Sequence, residues 1–210
     1  DVLGPLVARM LGAKVICTPV SSNTLVDQMG FDRVERTKIG SPYVIAAMEA
    51  AGGQVVGYDA NGGFLLGFEA QGPAGAIAPL MTRDCLLPIV TPLVMAQAKG
   101  VSLAELVSDL PPRFTAADRI AGIATEASRA FIADLTNSPE ARATFFAGRA
   151  GETGIDLTDG LRMSFADGSV IHLRPSGNAP EFRCYAEAEA ADRAEQLMRE
   201  TLAAVAARLG

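Results

Sequence analysis

Over its first hundred residues the chain alternates short apolar runs with stretches of helical periodicity, and nothing else in it limits the fold as strongly. Strands separated by helices cannot pair through tight hairpins. The crossover helix carries the chain back, the strands run parallel, and the helices must cover the sheet. Leu3, Leu6, Val7, Met10 and Leu11 recur at helical spacing, and Gly12 ends that helix. Residues 14–19 are predicted as a first strand, after which Ser21 or Ser22 would cap a helix carrying Leu25, Val26 and Met29. Residues 33–38 form a second predicted strand, and a helix follows through Tyr43, Val44, Ala47 and Met48. Residues 54–58 form a third, which Gly62-Gly63 would turn back through 64–67. A helix over 83–98 closes this part.

Composition shifts around residues 100–115, where Asp109-Leu110-Pro111-Pro112 interrupts a short helical stretch. This divides the chain into an α/β domain over 1–108, a linker over 109–118 and a smaller domain over 119–210. The first is expected to hold a mixed, mainly parallel sheet with helices on both faces. The second reads as α+β with an antiparallel sheet. Leu161, Met163 and Phe165 alternate with polar residues, and Ala166-Asp167-Gly168-Ser169 is a hairpin turn. Residues 170–174 and 181–186 give two more strands, and Leu197, Met198, Thr201, Leu202, Val205 and Leu209 form the stripe of a last helix.

Charge and residue usage exclude several functions. A net charge of −6 with no basic block argues against a nucleic-acid surface, though a few local donors can still hold a small anion. The longest apolar run, 86–98, is too short for a membrane span and contains Pro88 and Pro92. Cys17, Cys85 and Cys184 are odd in number and unpaired in spacing, so they read as small core residues in a reducing, cytoplasmic setting. With His172 as the only histidine, zinc sites and Ser-His or Cys-His catalysis are hard to build. The chain opens Asp1-Val2-Leu3-Gly4, without an initiator Met or a signal-peptide pattern, and reads as cut from something longer.

Two loops carry chemistry. Arg174-Pro175-Ser176-Gly177-Asn178-Ala179-Pro180 lies between two predicted strands. The Arg174 guanidinium is a planar fork for two phosphate oxygens, and Ser176 and Asn178 add neutral donors. Gly177 would let successive N–H groups converge, and the two prolines stiffen the ends. The same residues also make an ordinary surface turn, so phosphate cradle and turn both stand at this point. In the second loop, Gly57-Tyr58-Asp59-Ala60-Asn61-Gly62-Gly63 follows a strand where α/β sheets bind ligands. Asp59 can accept two hydroxyl protons, Asn61 can donate and accept, and Gly62 lets the backbone come close, a set suited to vicinal sugar hydroxyls. An Asn-Gly hairpin turn is the other reading.

The first loop, with Glu181-Phe182-Arg183 after it, resembles the phosphate-binding signature in the last domain of the α-D-phosphohexomutases, with Asn178-Ala179 where that family often has Thr-Glu. The second is similar in position to the family's sugar loop, commonly Gly-Glu-x-Ser-Gly-His, with Asp59 standing for the Glu, Asn61 for the Ser and Gly63 for the His. Thr18-Pro19-Val20-Ser21-Ser22-Asn23 and Arg36-Thr37-Lys38-Ile39-Gly40 look like strand-end segments of the third domain, and Thr82-Arg83-Asp84 like the start of the helix after the sugar loop.

The resemblance spans the chain and matches the family's third and fourth domains, phosphomannomutase-like. It implies a cytoplasmic isomerase that moves phosphate between C6 and C1 of a hexose through a phosphoserine enzyme and a bisphosphate. In this half Lys38, Asp59, Asn61 and Gly62 would meet the sugar, and Arg174, Ser176, Gly177 and Asn178 would hold the distal phosphate. The loop bearing the serine and the acidic loop for Mg2+ are family elements not found here, so the partners implied are a hexose phosphate and the N-terminal half of the same protein, with no nucleic acid and no membrane. Mg2+ is implied with its ligands absent from this chain, and the chain alone would be inactive. The alternatives are a stand-alone, non-catalytic phosphosugar-binding module and a structural paralogue whose loops are relics. His172, Arg183 and Tyr185 are expected on exposed strand faces, 156–160 as a turn, and 67–75, with Glu69, as a lid or loop.

Overall fold

The computed structural model describes residues 1–177 and 179–209, which fall into two units, Asp1–Pro112 and Arg113–Gly210. The first contains α1 (Leu3–Met10), β1 (Val15–Pro19), a 3₁₀ turn (Thr24–Gln28), β2 (Arg33–Thr37), α2 (Ser41–Ala51) and β3 (Val55–Tyr58). There follow β4 (Phe64–Leu66), a small β5–β6 hairpin (Ala70–Gly72 and Gly75–Ile77), β7 (Leu80–Asp84), α3 (Leu86–Lys99) and α4 (Leu103–Ser108). The sheet order is β2-β1-β3-β4-β7. The first three strands are parallel and the last two pairings antiparallel.

Because a strand's side chains alternate between faces, β1, β3 and β4 each serve two cores. Ile16, Val56 and Leu66 pack with Val7, Ala8 and Leu11 of α1, whereas Cys17, Val55 and Leu65 pack with Val44 and Met48 of α2. Gly57 is what lets α2 approach β3: a Cβ there would stand 2.5 Å from Met48 Sδ and from Val44 Cγ1. The fold class anticipated from the alternating pattern therefore holds, and the element bounds shift in two places. Ser21 and Ser22 cap nothing. The Ser22 hydroxyl is buried against Thr18, and Asn23 accepts the Leu25 N–H at 2.8 Å to open a 3₁₀ turn rather than an α-helix. The helix expected over 83–98 begins at Leu86, because Arg83 and Asp84 finish strand β7 and Asp84 Oδ1 takes the Leu86 N–H at 2.7 Å.

The second unit comprises β8 (Phe114–Ala121), α5 (Thr125–Asn137), α6 (Pro139–Phe145), β9 (Glu152–Asp156), β10 (Leu161–Phe165), β11 (Val170–Pro175), β12 (Glu181–Ala188) and α7 (Ala191–Leu209). Its sheet is antiparallel throughout, in the order β8-β12-β11-β10-β9. Residues 114–118, read from sequence as linker, belong to β8 and pair along β12. One sheet face carries Leu161, Met163, Ile171, Leu173, Phe182 and Cys184 into a core shared with Phe131, Leu197 and Val205 of the helices. Each such buried side chain contributes about 1.5–3 kcal/mol relative to exposure. The other face is polar, and the candidate phosphate loop is mounted at one end of it.

Two sequence expectations about single residues are overturned. His172 is buried, 2% exposed, instead of lying on an exposed strand, because its ring is stacked on Tyr185 across the strand pair with centroids 5.4 Å apart. Cys85 is exposed rather than a core residue, whereas Cys17 and Cys184 are buried as expected; all three thiols are free. The stretch 67–75 is partly ordered into the β5–β6 hairpin, with Glu69 exposed just before it.

Candidate functional site

In the first unit the candidate residues gather at the C-terminal ends of the parallel strands. Lys38 follows β2, Ser22 follows β1 and Asp59 follows β3. With β1 between them, β2 and β3 are roughly 10 Å apart. The edge is tied together from below. The Thr18 hydroxyl lies 2.8 Å from the Ser22 hydroxyl and 3.1 Å from the Tyr58 carbonyl, so the loop after β1 is anchored to the end of β3. Arg36 donates to the Ser22 carbonyl at 2.7 Å and to the Asp27 carboxylate at 2.8 Å. Lys38 itself is exposed, its ammonium 6.0 Å from the centroid of the Tyr43 ring.

The Asp59 loop is folded around its own carboxylate. Asp59 Oδ1 accepts the Asn61 N–H at 2.9 Å and the Gly63 N–H at 3.2 Å, while Oδ2 faces Arg83 Nη2 at 3.1 Å. Gly62 takes a φ of +84°, the left-handed conformation that glycine adopts without penalty. Asn61 is exposed, so its amide stands at the rim. An ionised carboxylate has about four lone-pair positions, which leaves Asp59 Oδ2 acceptor capacity beyond the Arg83 contact. The turn reading accounts for Oδ1, and Oδ2 is the atom a hydroxyl-reading role would use.

Arg83 is a site residue that sequence reasoning missed. Placed at a helix start, it would have pointed elsewhere. The β4–β7 pairing instead brings its guanidinium over the bare face of Gly63, where a Cβ would meet Arg83 Nε at 2.5 Å. No local pattern in Leu80-Met81-Thr82-Arg83-Asp84 announces that pairing.

In the second unit Arg174 is the next-to-last residue of β11, beside the β9–β10 turn. Its side chain is 12% exposed and its guanidinium lies 3.7 Å from the Asp159 carboxylate. Among the described residues, Arg174 Nε is buried with no hydrogen-bond partner. Cross-strand register sets Arg174 opposite Arg183, and Arg183 opposite Arg119, so three guanidiniums cross the polar face in one row. Arg119 and Arg183 both pair with Glu181, each at 3.2 Å, leaving two cations on one carboxylate. Burial works to lower the Arg183 pKa, but hydrogen bonds to Tyr185 and Glu181 outweigh it and hold the group above its usual value. A cavity of about 190 Å³ on this face is lined by Ala117, Asp118, Arg119, Arg183 and Tyr185.

The loop beyond Arg174 closes through Ser176, whose N–H donates to the Glu181 carbonyl at 2.8 Å, and Glu181 N–H reaches back to Ala179 at 2.8 Å. Ser176 is buried and Gly177 exposed. Gly177 does not need glycine's freedom to make the turn: it is not among the residues with positive φ, and an added Cβ would meet nothing within 4 Å. Asn178 lies outside the described residues.

Asp159 is the second residue that sequence reading passed over, as part of a turn. Its carboxylate faces Arg174 and its carbonyl accepts from His172 Nε2. Gly160 makes this close approach possible, with φ at +86° and space for a Cβ denied by the Leu173 carbonyl at 2.3 Å. Burial lowers the His172 pKa to about 4, against the opposing pull of the Asp159 carbonyl and carboxylate, so the ring is neutral at pH 7. Among the described residues no group of three or more His, Cys, Asp and Glu side chains is arranged to hold a metal ion.

Residues 3–114 match the family model described as phosphoglucomutase/phosphomannomutase, alpha/beta/alpha domain III, and residues 118–204 match that of the phosphoglucomutase/phosphomannomutase C-terminal domain. A phosphomannomutase from Sinorhizobium fredii is 41% identical over 207 residues, 97% of this chain and 44% of the relative. One from Salmonella muenchen is 39% identical over 215 residues, 100% of this chain and 45% of the relative. The chain thus spans less than half the length of these curated relatives. Among solved structures, a phosphoglucomutase/phosphomannomutase family protein from Burkholderia thailandensis superposes with a TM-score of 0.67 at 17% identity, covering 97% of this chain and 41% of that one. N-acetylphosphoglucosamine mutase from Aspergillus fumigatus gives 0.63 at 16%, covering 98% and 42%, a likeness of fold alone. Two units of the right architecture, each matched in order by its own domain model, place this chain in the phosphoglucomutase/phosphomannomutase family as its domains III and IV.

Proposed function

We propose that the chain is the substrate-holding half of a cytoplasmic phosphomannomutase-type isomerase. The observation that carries this reading is Arg174: a guanidinium almost out of solvent, 3.7 Å from the Asp159 carboxylate, with a buried Nε that no group among the described residues satisfies. Such a donor left open in a protein interior is costly unless a ligand takes it up. A phosphate monoester does so, accepting from the guanidinium and from the neighbouring donors of Ser176, Gly177 and Asn178.

In this reading the other end of the hexose meets Asp59, Asn61, Gly62 and Lys38. Asp59 Oδ2 accepts from a sugar hydroxyl, the Asn61 amide donates or accepts at the rim, and Lys38 supplies positive charge. Chemistry begins on a serine of the preceding half. Its phosphoryl P–O bond breaks as a sugar hydroxyl oxygen takes the phosphorus, and the hydroxyl proton ends on the departing serine oxygen, producing the bisphosphate and a free serine. After reorientation the second phosphoryl returns to the serine. This chain contributes positioning and charge neutralisation, the larger part of catalysis in phosphoryl transfer.

Isothermal titration of the 210-residue chain with mannose 6-phosphate tests the assignment. Binding that Arg174→Ala weakens by about 10- to 150-fold, equivalent to about 1.5–3 kcal/mol for a charge-assisted contact, supports it. Equal affinity in the variant sinks it. Intact mass of the natural gene product then separates the half-enzyme from a stand-alone binding module, since a product of this chain's length leaves only the module.

A further inference from the structure

Helix α3 presents an apolar face to solvent. Leu86, Ile89, Val90 and Leu93, at i, i+3, i+4 and i+7, are 68%, 54%, 51% and 50% exposed. Helix α4, packed beside α3, adds Leu103 and Val107, both more than two-fifths exposed. From Leu86 to Ala98 there is no charged residue at all. A helix that keeps one side in water ordinarily charges that side, and contiguous exposed apolar surface of this kind marks an interaction site.

We propose that this face is the seat of the preceding half of the same polypeptide. Two observations favour that occupant over others. The matched relatives extend for more than half their length beyond the region this chain covers, and the matched domain is the third of its family. A lipid surface is disfavoured by charge: the chain carries −6 overall, Lys99 is the only basic residue of α3, and no helix among the described residues is long and apolar enough to cross a membrane. The proposal rests on the reading above that such a preceding half exists.

The test uses thiol labelling. With Cys85→Ser removing the exposed native thiol, Ile89→Cys and, separately, Leu93→Cys place a probe on the stripe; both positions are solvent-exposed, so neither change opens a core. Maleimide labelling is timed in the 210-residue chain and in the product of the whole natural reading frame. The expected result is fast labelling in the shorter chain and at least tenfold slower labelling in the longer product. Equal rates overturn the proposal, as does slow labelling already present in the shorter chain, which would locate the cover within it. Protection of the shorter chain that rises with concentration, with a dimer in sedimentation, assigns the face to a second copy and also overturns it. A natural product no longer than this chain removes the occupant altogether. That failure is read from mass, whereas the phosphosugar reading fails in the titration of Arg174→Ala, so the two are separable.

Discussion

The two candidate loops solve opposite problems. The Asp59 loop is closed upon itself, its carboxylate accepting two N–H groups of its own backbone and facing Arg83. The Arg174 loop keeps its charge underused, with Nε unsatisfied among the described residues and Asp159 at the long end of an ion pair. A loop that satisfies itself holds its shape through its own hydrogen bonds. Under the function proposed above, a sugar hydroxyl would need only one remaining lone pair there, whereas a phosphate would need donors that the second loop has not already consumed. The difference places the energetic cost of an open site in the second unit and the rigidity in the first.

Backbone substitution gives the sharpest contrast. Gly160→Ala puts a methyl into the Leu173 carbonyl and Arg174 Cβ at a φ of +86°, and neither is the end of a flexible chain. The second unit is expected to lose about 2–4 kcal/mol, combining left-handed strain with backbone displacement, visible as a lowered denaturation midpoint. A midpoint unchanged from the parent would mean that the Asp159 turn does not press on β11 as described.

Acid should separate the units next. The folded-state pKa of His172 is about 4, below the unfolded value of 6.5, so the unfolded chain binds the extra proton between those values. Stability from the neutral ring is therefore complete above pH 6.5 and is lost as pH falls toward 4, on the order of 3 kcal/mol in all. The first unit has no histidine and so lacks this acid sensitivity. Comparing pH–stability profiles of the parent and His172→Phe isolates it; parallel profiles over that window would contradict the buried neutral ring.

Smaller effects follow at the sugar loop. Asp59→Asn keeps an oxygen for the loop N–H groups but weakens them and loses the Arg83 pair, at a cost of about 1 kcal/mol by chemical denaturation. Gly63→Ala displaces only the flexible end of Arg83, so about 0.5 kcal/mol or less is expected. If Gly63→Ala cost as much as Gly160→Ala, the contrast between the loops would dissolve. Thiol titration should cost nothing in stability: native protein exposes Cys85 alone, while burial pushes Cys17 up to about 11 and Cys184 up to about 12 and keeps both unreactive.

What was legible in the residues was what depends on near neighbours. Alternating periodicities specified the α/β unit and the antiparallel one, Gly62 and Gly168 marked turns that do take positive φ, and both loops could be picked out by their own side chains. What escaped was whatever is decided by strands meeting from far apart in sequence. Arg83 reaches Gly63 only through the β4–β7 pairing, and Asp159 reaches Arg174 only because β10 lies beside β11. His172 looked exposed because its strand alternates, yet Tyr185 of the next strand covers its ring. The sequence alone determined most of the strands and helices and which loops carry charge, since propensity and turn chemistry act over a few residues, but β7 and the start of β8 became strands only through their partners. Only the tertiary structure decided which charges stand opposed, which are buried and which remain unsatisfied, because register and desolvation are properties of paired surfaces.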